Sequence, residues 1–370
     1  MIRVLHFADI INRGDFIHNV LDHCDPGTFS MSAVTLDHRG TLNADPGGLS
    51  VVNLAAPNRR DIPWAVAALR ALLARERIDI LHVHHYVPGL IALAATRKLP
   101  VALVIGRHYS DAIYSLSRGL RRRLYLRLER LCNDAAAAVV APSAAVEAVL
   151  LAQGVRGDKI ARIPYGFAFD RLIPRSPSPE TIALWGGEPG LRLGTFARLH
   201  PEKGHCFLAE ALRNLRHEGI RATWLLAGDG PARETLGRLA REMGIDDRVR
   251  MLGWRTDVLD LMAASDIVVQ PTLHEAFSQV MVEAMALGRP LVISDVSGVR
   301  DVVQDGETGL VVPPGRSEAL AAAIRRLATP EEAERLGKNA SRVVREKLDI
   351  RAIAPRLEAL YVSVAGRQAS

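Results

Sequence analysis

The sequence predicts an α/β protein made of two Rossmann-like, doubly wound domains. Short apolar runs alternate with helical patterns along the 370 residues, which is typical of parallel sheets with helices on both faces. A stretch rich in proline and glycine, 171–190, interrupts this alternation and is typical of an interdomain linker. Each half is long enough to bury a core of its own.

Apolar runs place the predicted strands, and a period near 3.6 places the helices between them. Strands are expected at 4–7, 31–36, 49–54, 78–83, 101–105, 135–141 and 159–164, then at 191–196, 223–227, 250–252, 266–269, 291–294 and 309–312. Helices are expected at 16–21, 63–75, 144–152, 257–262 and 278–287. In such sheets ligands bind at the carboxyl ends of the strands.

One helix start carries the acidic residues of a candidate site. Glu275 precedes the helix predicted at 278–287, and Glu283 lies within it. A helix N-terminus offers unpaired backbone N–H groups and the positive end of its dipole, which suits phosphate or sugar hydroxyl oxygens. The residues near these amides are Ala276, Phe277 and Ser278.

The spacing of the two glutamates fits a sugar nucleotide. Eight helical residues span up to ~12 Å at 1.5 Å per residue, so Glu275 could bind a hexose while Glu283 takes both ribose hydroxyls. The same spacing also fits a solvated helix with two surface acids, since acidic side chains are usually exposed. Two cations nearby favour the first interpretation.

Arg198 and Lys203 follow the strand predicted at 191–196. An arginine binds a phosphate through a planar fork and a lysine binds it as a point charge. Both together, at the carboxyl end of a strand, suit a diphosphate. A second strand, 223–227, ends in the tight glycine turn Gly228-Asp229-Gly230.

Composition and charge exclude several classes of protein. Cys24, Cys132 and Cys206 are few and far apart, which fits a reducing compartment rather than a disulfide framework. No signal-peptide pattern and no run of 18 apolar residues is present. Residues 1–170 carry 20 basic and 15 acidic side chains, whereas the remainder carries 27 and 26. The excess of positive charge therefore predicts a basic surface on the first half, which attracts phosphate-bearing partners.

Six motifs of the second half, in order, resemble the C-terminal domain of glycosyltransferase family 4. They are FARLHPEKG, LLAGDGP, MLGW, ASDIVVQP, HEAFSQVMVEAMALGRPLV and DGETGLVVPPG. The resemblance is strongest over 194–315 and extends to 81–170. It implies the GT-B fold, with a first domain 1–170, a linker 171–190, a nucleotide-sugar domain 191–349 and a last helix, 350–370, that returns to the first domain.

The resemblance implies a retaining transfer from a UDP-, GDP- or similar nucleotide sugar to an acceptor hydroxyl, without a metal or other cofactor. Arg198, Lys203 and the helix amides would stabilise the leaving diphosphate, and Glu275 would bind the sugar. A glycosidase is disfavoured, because its two carboxylates must flank the scissile bond.

The resemblance also marks residues in the first half. His108 matches a family histidine that hydrogen-bonds a sugar hydroxyl of the donor, and it is predicted to be catalytic. The family usually has two glycines in its first loop, whereas this chain has only Gly14, next to Arg13. Gly14 is a candidate donor contact, and Arg13 fits either a phosphate contact or a solvated loop. Tyr165 stands where many members have asparagine.

Residues 117–131 combine a helical stripe of leucines with arginines at 121, 122, 123, 127 and 130. This composition fits either an amphipathic helix on anionic lipid or a core-packed helix with a solvated basic face.

His82, His84 and His85 end a predicted strand. A metal site there requires ligands on one side, and the resembling family needs no metal for its chemistry.

The sequence leaves three functions open: the transferase, a same-fold sugar-nucleotide enzyme such as a 2-epimerase, and a non-catalytic binding protein. The expected partners are a nucleotide-sugar donor, a sugar or lipid-linked acceptor and an anionic membrane surface, with no nucleic acid. Envelope polysaccharide, lipopolysaccharide or glycolipid assembly follows from family analogy alone. We expect the protein in the cytoplasm, with peripheral attachment to the inner face of the membrane as an option.

Overall fold

Each half of the chain builds a parallel sheet in the computed structural model. The structure describes residues 1–12, 14–37, 51–108, 119–173, 176–186, 189–275 and 277–369. The chain divides into two units: the first combines Met1–Ala168 with Leu348–Ser370, and the second is Phe169–Lys347.

In the described part of the first unit, the parallel sheet has the strand order β3-β2-β1-β4-β5-β6-β7. The strands are β1 (Ile2–Ala8), β2 (Phe29–Thr35), β3 (Val51–Asn53), β4 (Ile80–His84), β5 (Ala102–Gly106), β6 (Ala138–Ala141) and β7 (Ile160–Arg162). The order reverses between β1 and β4, which is where doubly wound sheets bind ligands.

Six helices lie among the described residues of this unit. They are α1 (Phe16–His23), α2 (Ile62–Arg75), α3 (Tyr86–Ala95), α4 (Leu120–Ala135), α5 (Ala144–Ala152) and α14 (Ile350–Ala369). Asp15 caps α1 by accepting the backbone N–H of His18 at 3.0 Å, and Ser143 caps α5 in the same way.

The register of β1, β4 and β5 gives the sheet two different faces. Because successive strand residues point to opposite faces, Leu5, Phe7, Leu81 and Val83 lie on one side and join an apolar core with α2 and α3. His6 pairs with His82, and His84 pairs with Gly106. These residues lie on the other face, where α14 contacts β4 and β5.

The described part of the second unit contains a parallel sheet with the order β10-β9-β8-β11-β12-β13. Its strands are β8 (Leu191–Phe196), β9 (Ala222–Ala227), β10 (Val249–Gly253), β11 (Ile267–Gln270), β12 (Leu291–Ser294) and β13 (Leu310–Val312). Its helices are α6 (Pro179–Ala183), α7 (His205–His217), α8 (Arg233–Glu242), α9 (Val258–Ala264), α10 (Gln279–Ala286), α11 (Val299–Val302), α12 (Ser317–Arg326) and α13 (Pro330–Leu348). The order reverses between β8 and β11.

The predicted α/β class and its parallel sheets are confirmed, while several boundaries move. The strand predicted at 135–141 begins only at Ala138, because α4 runs to Ala135. Helix α3 was not predicted at all, since its apolar sequence has no polar face to mark a period. Within the stretch expected as a linker, Ser178 caps the short helix α6.

Candidate functional site

The loops after β8 and β11 interlock at the carboxyl edge of the second sheet. The backbone N–H of Leu273 donates to the carbonyl of Glu202 at 2.8 Å. Gly204 has φ +66°, and a Cβ there would lie 2.0 Å from the carbonyl oxygen of Pro271. Only glycine combines this positive φ with so close an approach, so the two loops are held in contact.

Lys203 and Glu275, one from each loop, form an ion pair. Their side chains are 14% and 27% exposed, so the pair is sheltered but reachable. Arg198 is largely exposed and lies 3.9 Å from Glu202. The structure therefore brings Lys203 and Glu275 together directly, whereas Arg198 stands at the rim with an acidic neighbour that sequence reasoning missed.

Ser278 is the N-cap of α10, the helix that carries Glu283. Its hydroxyl accepts the backbone N–H of Met281 at 3.2 Å and donates to the side-chain oxygen of Gln270 at 2.7 Å. Phe277 is buried beside it, and Ala276 lies outside the described residues. The predicted helix start is therefore present, with its cap tied to the end of β11.

Burial raises the pKa of Glu283 above its usual range. A carboxylate in such a position is costly to keep charged unless donors reach it. A ligand that offers two hydroxyl groups would supply those donors and favour the ionised form.

The glycine turn after β9 presses against the loop after β8. Leu199 donates its backbone N–H to the carbonyl of Asp229 at 2.9 Å. A Cβ on Gly228 or Gly230 would lie 1.9 Å and 2.5 Å from the carbonyl oxygens of Ala197 and Leu199, respectively. Three neighbouring strand ends thus form one continuous, tightly packed edge.

Histidines follow one face of the first sheet up to its carboxyl edge. His6 Nδ1 lies 3.0 Å from His84 Nε2, and His82 Nδ1 lies 2.7 Å from the hydroxyl of Tyr361 on α14. Ligand nitrogens of His6, His82 and His84 lie within 4.8 Å of one another. Because both ring nitrogens of His6 and His84 are at hydrogen-bond distance from partners, we describe a hydrogen-bonded cluster rather than an open metal-ligand set.

His108 ends this cluster at the carboxyl edge. Its Nε2 lies 2.6 Å from His84 Nδ1, and its Nδ1 lies 2.5 Å from the hydroxyl of Tyr165. Burial, followed by nearby histidines, holds the pKa of His108 well below its usual range, so its ring is neutral at pH 7. A sugar hydroxyl that bonded His108 directly would have to displace one of these two partners.

Arg107, next to His108, forms a buried ion pair with Glu129 of α4 at 2.5 Å. Both side chains are almost fully buried, and removing one partner of such a pair typically costs about 3–5 kcal/mol. The pair therefore ties the end of β5 to α4 and has a structural role.

His85 has φ +74°, a strained conformation for a residue with a side chain. Its Nδ1 lies 3.5 Å from Asp9 Oδ2, and both side chains are close to half-exposed. Asp9 and His85 directly follow β1 and β4, on either side of the switch point. Sequence reasoning missed Asp9, although its place just after a strand was the available signal.

Gly14 lies in the turn before α1 with φ +84°, and a Cβ there would meet nothing within 4 Å. Its backbone N–H donates to His18 Nδ1 at 2.9 Å. Gly14 therefore shapes the turn, while Arg13 lies outside the described residues.

The basic helix predicted at 117–131 is α4, and residues 117 and 118 lie outside the described part. Three of its leucines point to solvent: Leu120, Leu124 and Leu131 are 83%, 55% and 49% exposed. The arginines of the helix are exposed as well; they are Arg121, Arg122, Arg123, Arg127 and Arg130. This pattern is contrary to a core-packed leucine stripe. Among the helices that the structure describes, none is both long and apolar enough to cross a bilayer.

Comparison with known proteins identifies the family. Residues 28–171 match the family model described as Glycosyltransferase Family 4, and residues 190–329 match the one described as Glycosyl transferases group 1. The alpha-D-kanosaminyltransferase of Streptomyces kanamyceticus is 36% identical over 44% of this chain, and the match spans 43% of that enzyme's length. An Escherichia coli enzyme, UDP-Gal:alpha-D-GlcNAc-diphosphoundecaprenol alpha-1,3-galactosyltransferase, is 23% identical over 81% of this chain and 79% of its own.

A solved structure shares the fold over almost the whole chain. Anabaena HepE, crystallised with UDP-glucose, superposes with a TM-score of 0.83 at 23% identity, covering 98% of this chain and 100% of HepE. The two parallel sheets with interleaved helices thus have the GT-B fold. With both family models matched, the chain belongs to the family 4, group 1 glycosyltransferases.

Proposed function

We propose that this chain transfers a glycosyl group from a nucleotide diphosphate sugar to an acceptor hydroxyl, with retention of the anomeric configuration. The observation that carries the proposal is the Lys203–Glu275 pair, held by two interlocked loops at the carboxyl edge of the second sheet. It sets a phosphate-binding cation beside an acceptor of hydroxyl protons. Family membership supports the donor class.

Lys203 and Arg198 bind the diphosphate, assisted by backbone N–H groups at the start of α10. Fixed positive charge in these positions stabilises the negative charge that develops on the leaving group. The diphosphate replaces Glu275 at the Lys203 ammonium, which releases this carboxylate for the hexose hydroxyls. Glu283 accepts hydrogen bonds from the two ribose hydroxyls, which offset the cost of its burial.

The transfer breaks the bond between the anomeric carbon and the diphosphate oxygen and forms a bond from the same carbon to the acceptor oxygen. The acceptor proton passes to the leaving diphosphate on the same face. No metal or other cofactor takes part in this scheme.

A panel of nucleotide diphosphates and nucleotide sugars tests the donor class by thermal shift. A ligand that binds only the folded state stabilises it by about 2.7 kcal/mol at 100 times its Kd. We expect the true donor to raise the Tm of wild type and to raise it less in Lys203→Ala. A panel without any shift would contradict the proposal.

Turnover assays separate the alternative functions. The transferase requires an acceptor hydroxyl, a 2-epimerase-type enzyme yields product from donor and water alone, and a binding protein yields none. Product that forms without an acceptor would overturn the transferase proposal while leaving donor binding intact.

We also propose that α4 docks on an anionic membrane surface, near a lipid-linked acceptor of envelope assembly. The exposed leucines and arginines of the helix support this partner, because apolar burial and charge attraction add at such surfaces. The protein should sediment with phosphatidylglycerol vesicles and not with phosphatidylcholine vesicles. Leu120→Ser with Leu124→Ser should abolish sedimentation, whereas Leu151→Ser, half-exposed on α5, should not. Equal sedimentation of all variants would rule out docking through α4.

A further inference from the structure

His85 holds a backbone conformation that belongs almost exclusively to glycine. Its φ is +74° and its ψ is 168°. A residue with a side chain persists in this region only where the surrounding structure enforces it, and such residues cluster at active sites and ligand-binding sites. The position of the imidazole is therefore maintained against the preference of the backbone.

The turn from β4 to α3 does not itself require a histidine at this position. His85 is the N-cap of α3, but its side chain makes no capping hydrogen bond, whereas serine, threonine, aspartate and asparagine are the residues that usually make one. Its carbonyl accepts the backbone N–H of Gly89 at 3.2 Å, which the carbonyl of any residue can do. Glycine would adopt the same φ without strain. Since the local structure favours other residues, the imidazole has a use other than forming the turn.

The imidazole of His85 lies next to the carboxylate of Asp9. His85 Nδ1 and Asp9 Oδ2 are 3.5 Å apart, and both side chains are close to half-exposed. Asp9 directly follows β1 and His85 directly follows β4, the adjacent strands between which the sheet order reverses. The ring centroids of His85 and His108 are 5.4 Å apart. A ligand at the carboxyl edge of the first sheet can therefore reach both Asp9 and His85.

His85 is neutral and Asp9 is charged at pH 7. Burial lowers the pKa of His85 more than Asp9 raises it, so the imidazole has one N–H and one bare nitrogen. Burial and, to a smaller extent, Asp37 raise the pKa of Asp9, whereas His85 lowers it. As a half-exposed group, the Asp9 carboxyl keeps its negative charge at neutral pH.

This combination suits hydroxyl groups. A hydroxyl bonds to either nitrogen of the imidazole, because it both donates and accepts, and it donates to a carboxylate, which only accepts. A carboxylate or phosphate group of a ligand would instead place like charge beside Asp9, which is costly. The pair therefore distinguishes a neutral polyol from an anion.

We propose that Asp9 and His85 bind two hydroxyl groups of the acceptor, and that the part of the acceptor at this edge is a neutral sugar. The inference rests on the proposed function, because it assigns this pair to the acceptor of the transfer. His85 supplies the ring that glycine would lack, and Asp9 supplies the charge that excludes an anionic sugar.

An NMR titration of the histidine side chains in the full-length protein tests the class of ligand. The probes are the methyl α-glycosides of glucose, galactose and mannose and the corresponding methyl α-uronides, added alone and with each nucleoside diphosphate of the thermal-shift panel. We expect a neutral glycoside to shift the ring signals of His85, and the uronide of the same sugar to shift them less. If no neutral glycoside shifted His85, or if the uronides shifted it more, the proposal would be wrong.

The variant His85→Gly tests the role in transfer. It removes the ring together with the backbone strain, so its Tm should equal or exceed that of wild type. The kcat/KM for the acceptor should fall about tenfold through a higher KM, as for the loss of one hydrogen bond. The thermal shift caused by the donor should not change.

Lys98→Gly is the matched control, because Lys98 also has a positive φ, +63°, and is exposed before β5. It should leave the KM for the acceptor unchanged. A wild-type KM in His85→Gly would overturn the proposal and leave the proposed transfer intact. A wild-type protein that transferred sugar to no acceptor would refute the proposed function instead, and the titration of His85 would still decide which class of sugar binds.

Discussion

The polar side chains that lead to the carboxyl edge are neutral in the first sheet and charged in the second. In the first unit, neutral imidazoles and hydroxyls meet in a buried file of hydrogen bonds around His84. In the second unit, charged groups meet in a half-sheltered ion pair, Lys203 with Glu275. Both edges lie at the switch point of a doubly wound sheet, so the strand order alone does not decide which chemistry an edge performs.

The difference follows from what covers each edge. Helix α14 contacts β4 and β5 and places Tyr361 among the histidines of the first unit. Removing water there makes a charged imidazole costly. In the second unit the loops after β8 and β11 interlock but leave the ion pair of Lys203 and Glu275 partly exposed.

The largest expected effect is on stability at low pH, which should fall more in the first unit than in the second. His6, His82, His84 and His108 are neutral when folded, because their pKa values lie below the unfolded value of about 6.5. The unfolded state therefore binds more protons below pH 6.5, and stability falls as the pH falls. Four such groups remove roughly 5 kcal/mol between pH 7 and 5.5.

Hydrogen exchange at stepped pH, read on peptides of each unit, measures this effect. Peptides of the first unit should lose protection first. In the described part of the second unit, burial lowers the pKa of only one histidine, His205, so the contribution there has the same sign and comes from a single group. If both units lost protection at the same pH, the first unit would not be more sensitive to acid than the second, and this prediction would be wrong.

The next largest effect tests the charged edge. Lys203→Ala should raise the activation free energy that determines kcat/KM by about 2.7–4 kcal/mol. This is the typical cost of removing one donor to a developing negative charge. Lys338→Ala removes an exposed lysine paired with Glu334 and should leave activity unchanged. Wild-type activity in Lys203→Ala would exclude the diphosphate role.

Gly204 in the second unit and Gly14 in the first both have a positive φ, so substituting each by alanine compares how tightly the two edges are packed. Gly204→Ala forces a Cβ against the Pro271 carbonyl at a positive φ, and it should cost about 2 kcal/mol or more and weaken donor binding. Gly14→Ala, at φ +84° in open space, should cost only the left-handed strain of about 1–2 kcal/mol. Denaturant unfolding measures the loss in free energy of unfolding for both variants. Equal losses would show that the close approach of the loops after β8 and β11 does not contribute to stability.

The smallest effect concerns the contact between Asp9 and His85 at the switch point of the first sheet. The carboxylate of Asp9 raises the pKa of His85, although burial lowers that pKa more. Asp9→Asn should therefore lower the pKa of His85 further. An NMR titration measures this shift, with Asp134→Asn, an exposed carboxylate on α4, as the control. A pKa that did not fall would remove Asp9 as a partner of His85.

The sequence predicts local order better than distant contacts. Apolar runs located β8 and β12 to the residue, since a buried strand must be apolar whatever its partners are. The contact of Lys203 with Glu275 was not anticipated, although both residues were singled out, because it depends on two loops packing together.

The hydrogen-bonded histidines of the first unit show the same limit more clearly. His82 and His84 stand on one strand, so their shared face could be predicted from period two. His6 required the register between β1 and β4, and Tyr361, which is 355 residues from His6, required the path of the last helix. No local pattern in α14 marks Tyr361 as different from a core aromatic residue.

The position of Tyr361 has a practical consequence for protein production. Shortening the recombinant chain by ten residues at its C-terminus, a common choice when a terminal helix is judged dispensable, would remove the only hydroxyl that contacts both His82 and His6 among the described residues. His82 Nδ1 and His6 Nε2, both buried in the first unit, would then lose the hydroxyl that they contact. A poorly expressed short variant would report this loss rather than a fault in the second unit.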